Sequence, residues 1–253
     1  MTPASARSGP RLGHQTGEHA AGGVRAVCLD VDDTLVDHSA SARGALRLLL
    51  GHDNAWPLWQ QITDEHVARV VAGVVDSDTM LWQRTKEFFG CLGELLDDGE
   101  AIRREGVRVR AMRNGWTLFT DALPCLEWLA AVRVKIAVVT NASGPYQRAK
   151  LANLGVAHYI DEVVIAGELG AAKPDPVIFR TACERLGYRP AEVVHVGDRL
   201  DLDACGARDA GMVGVWLNRN GPARGALPAG VSMITTLGLL PELLVCDLDL
   251  VLS

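Results

Sequence analysis

The sequence predicts an α/β protein: a doubly wound parallel sheet with an α-helical block inserted after its first strand. Three observations lead there. Short apolar runs recur along the chain, several closing on a polar or acidic residue, as buried parallel strands do. Helix-length stretches with start and stop signals separate the later runs, and strand–helix alternation at this spacing builds a sheet covered on both faces. One early interval of roughly a hundred residues carries helical periodicity and no convincing strand.

The elements follow in order. Residues 1–23, rich in Gly, Ala, Ser, Thr and His without a hydrophobic period, read as a disordered tail. The first strand falls at 24–29. Within the insert, 39–118, Val67, Val70, Val71, Val74 and Val75 make one stripe at helical spacing, and Leu81, Trp82, Thr85, Phe88, Phe89 and Leu92 make another. The aromatic residues there read as core packing. A helix near 124–131 leads into a strand at 134–139. Ser143 as N-cap and Gly155 as stop frame a helix over 145–154. A strand at 163–166 precedes a helix over 176–186 that Gly187 ends. A strand at 193–196 precedes a helix over 203–210 that Gly211 ends, and strands at 213–217 and, more weakly, 231–234 complete the sheet. The core therefore comprises 24–38 and 119–240, and 241–253 reads as a weakly packed C-terminal tail.

Composition narrows the function. A hydrophobic content of 48% over 253 residues can fill a sizeable core and excludes wholesale disorder. No apolar run approaches the ~18–20 residues of a membrane span, and the N-terminus lacks the apolar stretch of a secretory signal. A net charge of −6 argues against nucleic acid as a partner. Six cysteines without close paired spacing read as reduced thiols, most of them in the core, in a cytoplasmic protein.

Ligands of a parallel sheet gather beyond the carboxyl ends of its strands. The first strand ends in Asp30, Asp32 and Thr34; the second in Thr140 and Asn141; the loop after the third carries Lys173; the fourth leads to Asp198, then Asp201 and Asp203. One acidic pair at a strand end is usually a solvated turn. Four polar ends on one rim are a site. Converging carboxylates repel unless a cation sits among them, and such oxygen ligands suit Mg²⁺. A hydroxyl, backbone amides and a lysine opposite suit an anion. Adjacent cation and anion sites are what phosphoryl transfer requires.

These segments, DVDDT at 30–34, VVTN at 138–141, AKPDP at 172–176 and HVGDRLDLD at 195–203, resemble in order the four motifs of the haloacid dehalogenase (HAD) superfamily. The match spans about 24–36 and 119–220. It implies a Rossmann-like core with an inserted helical cap, and the order resembles the small-molecule phosphatases, including the pyrimidine nucleotidase and acylneuraminate phosphatase branch. By that resemblance Asp30 is the nucleophile, forming an aspartyl-phosphate, and Asp32 the general acid and then base. Asp30, the backbone carbonyl of Asp32, and Asp198 would hold Mg²⁺. Thr140, the amide of Asn141, and Lys173 would grip the phosphoryl oxygens. Asp203 would brace the metal shell or the lysine, and Thr34 the turn after the nucleophile. Like charge around Asp32 is expected to help it keep a proton. An acid at this position favours phosphoester chemistry over dehalogenation. Leu202 departs from the pattern, since many relatives carry Asn there.

The expectation is a Mg²⁺-dependent phosphatase acting on a small phosphorylated metabolite, a sugar phosphate or nucleoside monophosphate. The alternatives are a phosphomutase using the same chemistry and a non-catalytic binding protein on the same fold. A phospho-receiver domain fits poorly, since its acids, Thr and Lys come from other strand ends and it has no early insert. Asp247 and Asp249 imitate the first motif, but the chain ends too soon to supply partners. Arg103, Arg104, Arg108, Arg110 and Arg113 read mainly as a solvated helix face paired with neighbouring acids, the sharper reading being recognition of a second anionic group on the substrate. His38 lies near the site by position, and His195 reads as a core histidine.

Overall fold

The structure is a computed structural model that describes residues 23–251 except 72 and 224; apart from Gly23, the predicted N-terminal tail lies outside the described residues. Six strands, β1 (Ala26–Leu29), β2 (Lys135–Thr140), β3 (Glu162–Ile165), β4 (Val193–Gly197), β5 (Val213–Leu217) and β6 (Val231–Ile234), form one sheet in the order β3-β2-β1-β4-β5-β6. All adjacent pairs are parallel. Chain winding runs outward from β1 on one side through β2 and β3 and on the other through β4 to β6. The carboxyl ends of β1 and β4 therefore flank the switch point where such sheets open a crevice.

The period-two alternation of the strands divides the core into two layers. Val27, Leu29, Ile136, Val138, Val194 and Val196 face one layer, completed by α5 (Ala122–Ala131) through Ala122, Leu126 and Leu129. Ala26, Cys28, Ala137, Val139 and Val193 face the other, against Ile178, Phe179 and Ala182 of α8 (Pro176–Leu186) and Ala207 of α9 (Gly206–Asp209). The remaining connections are α6 (Gly144–Asn153) and α7 (Ala166–Leu169). A π-helical turn, Leu200–Cys205, precedes α9 where one continuous helix is expected.

Between β1 and β2 lie α1 (His38–Leu50), α2 (Trp56–Val71), α3 (Ser77–Cys91) and α4 (Asp98–Asn114). Asp37, Asp76 and Asp97 start α1, α3 and α4 by accepting hydrogen bonds from backbone amides three residues on. These helices have their own core, in which Leu46, Trp59, Phe88, Phe89 and Met112 meet. Across it, Glu105 accepts from Arg84, Thr85 and Arg108. The Arg84 and Arg108 guanidinium carbons lie 4.4 and 4.9 Å from the Trp59 ring centroid.

Three expectations change. The valine stripe does not bury as a unit: α2 ends at Val71, leaving Val67 and Val74 exposed. The C-terminal segment is not loosely attached. Leu240, Leu244 and Leu248, four residues apart, share one apolar face that packs on the core, and Val251 N donates to Val24 O at 2.8 Å. Of the cysteines, Cys28, Cys125 and Cys183 are buried, while Cys205 is half-buried and Cys91 and Cys246 are exposed; all are free thiols. Among the described residues no helix is long and apolar enough to cross a membrane.

Candidate active site

The carboxyl ends of β1 and β4 bring the acids together. Asp30 follows β1, tied by its N–H to Val196 O at 2.9 Å. Asp198 follows β4, its N–H donating to the Thr34 hydroxyl at 3.1 Å and its carbonyl accepting from Trp216 Nε1 at 2.9 Å. Thr34 thus ties the turn after Asp30 to the strand end opposite. Carboxylate oxygens of Asp30, Asp198 and Asp203 lie within 4.8 Å of one another. Gly197 makes this approach possible, because a Cβ there would stand 2.2 Å from the Asp203 carboxyl carbon.

Lys173 neutralises part of the cluster. Its ammonium donates to Asp30 Oδ1 at 2.6 Å, Asp203 Oδ1 at 2.6 Å and Val139 O at 3.0 Å. The lysine loop is clamped by Asn141, whose side chain accepts from Lys173 N at 2.8 Å and donates to Lys173 O at 3.0 Å. Asp203 is fully engaged, holding Lys173, His195 Nε2 at 3.0 Å and Arg199 N at 3.0 Å. His195 is buried as expected, packed edge-on to Phe179, but it also joins the site through Asp203. Thr140 is buried at the end of β2, and its hydroxyl accepts from Gln147 Nε2 of α6 at 3.0 Å.

The charges divide the site. Burial, with repulsion from Asp203 and Asp32, raises the Asp30 carboxyl to about 7 against the pull of Lys173. Burial, with the charges of Asp30 and Asp203, raises Asp198 to about 8. One buried and one half-buried carboxylate that resist ionisation together mark a place that a cation would stabilise. The donors are oxygens only, so the residues fit Mg²⁺. Asp203 goes the other way: burial opposes its charge, but Lys173 and His195 hold it well below the usual carboxylate range.

Asp32 departs from expectation. Burial raises its carboxyl, but His38 and Lys150 outweigh that and lower it. Buried Lys150 of α6 donates to Asp32 Oδ1, and His38 Nδ1 lies 3.5 Å from the same oxygen. Lys150 and His38 rather than acids stand nearest this group, so it favours its ionised form. Lys150 and Gln147 went unrecognised in the sequence. The available signal was their i, i+3 placement on a helix leaving a strand end. Asp33, with φ of 59° and its carboxylate bound to Ser39 N and Oγ at 2.8 and 2.7 Å, anchors the turn between β1 and α1. The arginine run is mostly paired: Arg103 and Arg104 bind Glu100, Arg104 also binds Glu94, and Arg108 binds Glu105.

Known proteins resemble this chain. The family model of haloacid dehalogenase-like hydrolases matches residues 24–211. The glyceraldehyde 3-phosphate phosphatase of Methanopyrus kandleri is 34% identical over 199 residues, 78% of this chain and 84% of that protein. Human N-acylneuraminate-9-phosphatase is 30% identical over 240 residues, 87% of this chain and 94% of that protein. Among solved structures, the HAD hydrolase YfnB of Bacillus subtilis superposes with a TM-score of 0.73 at 22% identity, covering 88% of this chain and 99% of that one. With four motifs converging at one sheet rim and a family match across most of the core, the chain belongs to the haloacid dehalogenase-like hydrolases, and the two relatives named here are phosphoric monoester hydrolases.

Proposed function

We propose that this hydrolase is a Mg²⁺-dependent phosphatase that cleaves a small phosphorylated metabolite of the sugar-phosphate type through an aspartyl-phosphate on Asp30. One observation carries the reading: Lys173 bridges Asp30 and Asp203 at 2.6 Å each, while an Asp198 oxygen lies within 4.8 Å of both. That geometry supports a nucleophilic carboxylate lying between a fixed cation and a site for a mobile one.

Asp30, the Asp32 carbonyl and Asp198 would hold Mg²⁺, which when bound supplies positive charge to a phosphoryl oxygen and keeps Asp30 ionised. The protein's own groups do the rest. The Asp30 oxygen not engaged by Lys173 attacks phosphorus in line with the ester oxygen. The Lys173 ammonium, the Thr140 hydroxyl and the amide of Asn141 take the charge that spreads over the phosphoryl oxygens. Asp32 takes up a proton from solvent before the ester bond breaks, gives it to the departing alkoxide, and, ionised again, removes one from the water that splits the aspartyl-phosphate. Lys150 and His38 favour the ionised form that the second half needs. Asp203 and His195 keep Lys173 in register. The helical insertion serves as the cap that shields the reaction from bulk water and contacts the alcohol. Free thiols throughout the described residues fit a reducing, cytoplasmic setting.

The test is phosphate release from a panel of phosphomonoesters with millimolar Mg²⁺ and with chelator. Release that depends on Mg²⁺ and is lost in Asp30→Asn supports the reading; undiminished release from that variant overturns it.

A further inference from the structure

We propose that Arg113, Trp116 and Tyr146 form the subsite for the far end of the substrate's alcohol, and that this subsite selects phosphomonoesters whose alcohol carries a carboxylate. The inference rests on the phosphatase reading and names the substrate class of that site.

The corner lies where the end of α4 meets α6. Trp116 is 7% exposed, and its Nε1 makes no hydrogen bond of full geometry, only a loose one to the Tyr146 side chain. The Tyr146 hydroxyl is buried and its own proton has no acceptor. The two rings meet edge to face, 5.1 Å between centroids. Buried donors almost always find acceptors within a protein, and those that do not are commonly completed by a ligand. The corner is also joined to the chemistry. Lys150 Nζ lies 4.9 Å from the Tyr146 centroid and 5.6 Å from that of Trp116, and the same ammonium holds Asp32. Lys150 thus joins the ring pair to Asp32, where the ester oxygen is proposed to rest.

Charge decides what the corner takes. Arg103, Arg104 and Arg108 have carboxylate partners within the insertion. Arg113 has none among the described residues; its guanidinium lies 5.5 Å from the Tyr146 centroid. A cation beside two N–H and O–H donors is complementary to an anion with at least two acceptor oxygens. The phosphoryl group is committed to Asp30, so this second anion belongs to the alcohol. A carboxylate supplies it.

The experiment compares 6-phosphogluconate with sorbitol 6-phosphate, the same carbon chain ending in a carboxylate or a hydroxymethyl, with p-nitrophenyl phosphate alongside. The wild type is expected to show kcat/KM about tenfold higher for the acid, as one charge-assisted hydrogen bond supplies, expressed mainly in KM. Added salt narrows the ratio because Arg113 is exposed. Arg113→Gln brings the ratio close to one, and Tyr146→Phe lowers it by a smaller factor, with melting temperatures reporting that both variants fold. Equal or inverted preference in the wild type overturns the inference. So does an Arg113→Gln that slows both esters equally, or release from p-nitrophenyl phosphate with neither sugar ester cleaved. Failure to release phosphate from any of the three overturns the phosphatase reading itself and this inference with it.

Discussion

Replacing Lys173 by methionine removes one buried cation while keeping most of the side chain's volume. The ammonium makes two bonds of 2.6 Å to carboxylates and one of 3.0 Å to a carbonyl, and the residue is only 6% exposed. Breaking a buried ion pair from one side costs about 3–5 kcal/mol, because the partner charge stays behind without compensation. Asp203 retains His195 and Arg199 N and loses less. Asp30 loses its main stabilising neighbour, so its carboxyl, already raised to about 7, moves higher and is protonated at neutral pH. For a chain of this size each kcal/mol shifts the melting temperature by about 2–4 °C, so a drop of about 10 °C is expected. Turnover falls by more than about 10³-fold, since charge stabilisation and an ionised nucleophile are lost together. Scanning fluorimetry and continuous phosphate release measure both. Arginine does not restore activity, because its planar fork cannot place one nitrogen between three oxygens. A variant that melts within about 2 °C of the wild type and keeps a tenth of its activity would refute the reasoning.

Three other perturbations test separate parts of the account. With metal chelated, stability falls as pH rises from 6.5 to 8: Asp30 and Asp198, raised to about 7 and about 8, hold protons that the unfolded chain has already released. His195, lowered from 6.5, is neutral in the folded chain but partly protonated in the unfolded chain near pH 6.5, so it opposes this fall at the lower end of the window and drops out toward pH 8. Millimolar Mg²⁺ flattens the slope, and a chelated protein whose melting temperature is level or rises across this range contradicts the charge assignment. Glu105→Ala leaves Arg84 and Arg108 facing each other in the core of the insertion, and urea denaturation should register a loss of about 3–5 kcal/mol. A loss below about 1 kcal/mol would show the triad to be dispensable. Gly197→Ala sets a methyl 2.2 Å from the Asp203 carboxyl carbon and should cost about 1–3 kcal/mol with a clear fall in kcat; unchanged kcat would mean that Asp203 need not approach β4 so closely.

The sheet was legible because its strands are buried on both faces and read as compact apolar runs, each within a few residues of its place in the fold. That Asp30, Lys173 and Asp198 would be neighbours was legible because β–α topology sends strand ends to one rim, so linear motifs converge without knowledge of side-chain contacts. What stayed hidden depends on tertiary neighbours. Lys150 is one polar residue in a helix until folding sets it against Asp32. The reversal at Asp32, from a proton-holding acid to a cation-paired carboxylate, is a matter of which charge stands nearest. The packed C-terminus was misjudged because the leucines at 240, 244 and 248 were overshadowed by an Asp-x-Asp pattern. The valines near the end of α2 show the converse: helical periodicity predicts a face, yet Val67 and Val74 stay exposed where the helix ends at Val71.

Everything in the mechanism depends on Asp30 carrying the phosphoryl group between its two owners. Rapid acid quench of the enzyme during turnover of a ³²P-labelled ester measures this directly. The account predicts hydroxylamine-labile label on the protein, confined to the peptide that contains Asp30 and absent from Asp30→Asn. Sustained phosphate release with no label on the protein, or label on any other residue, would contradict it.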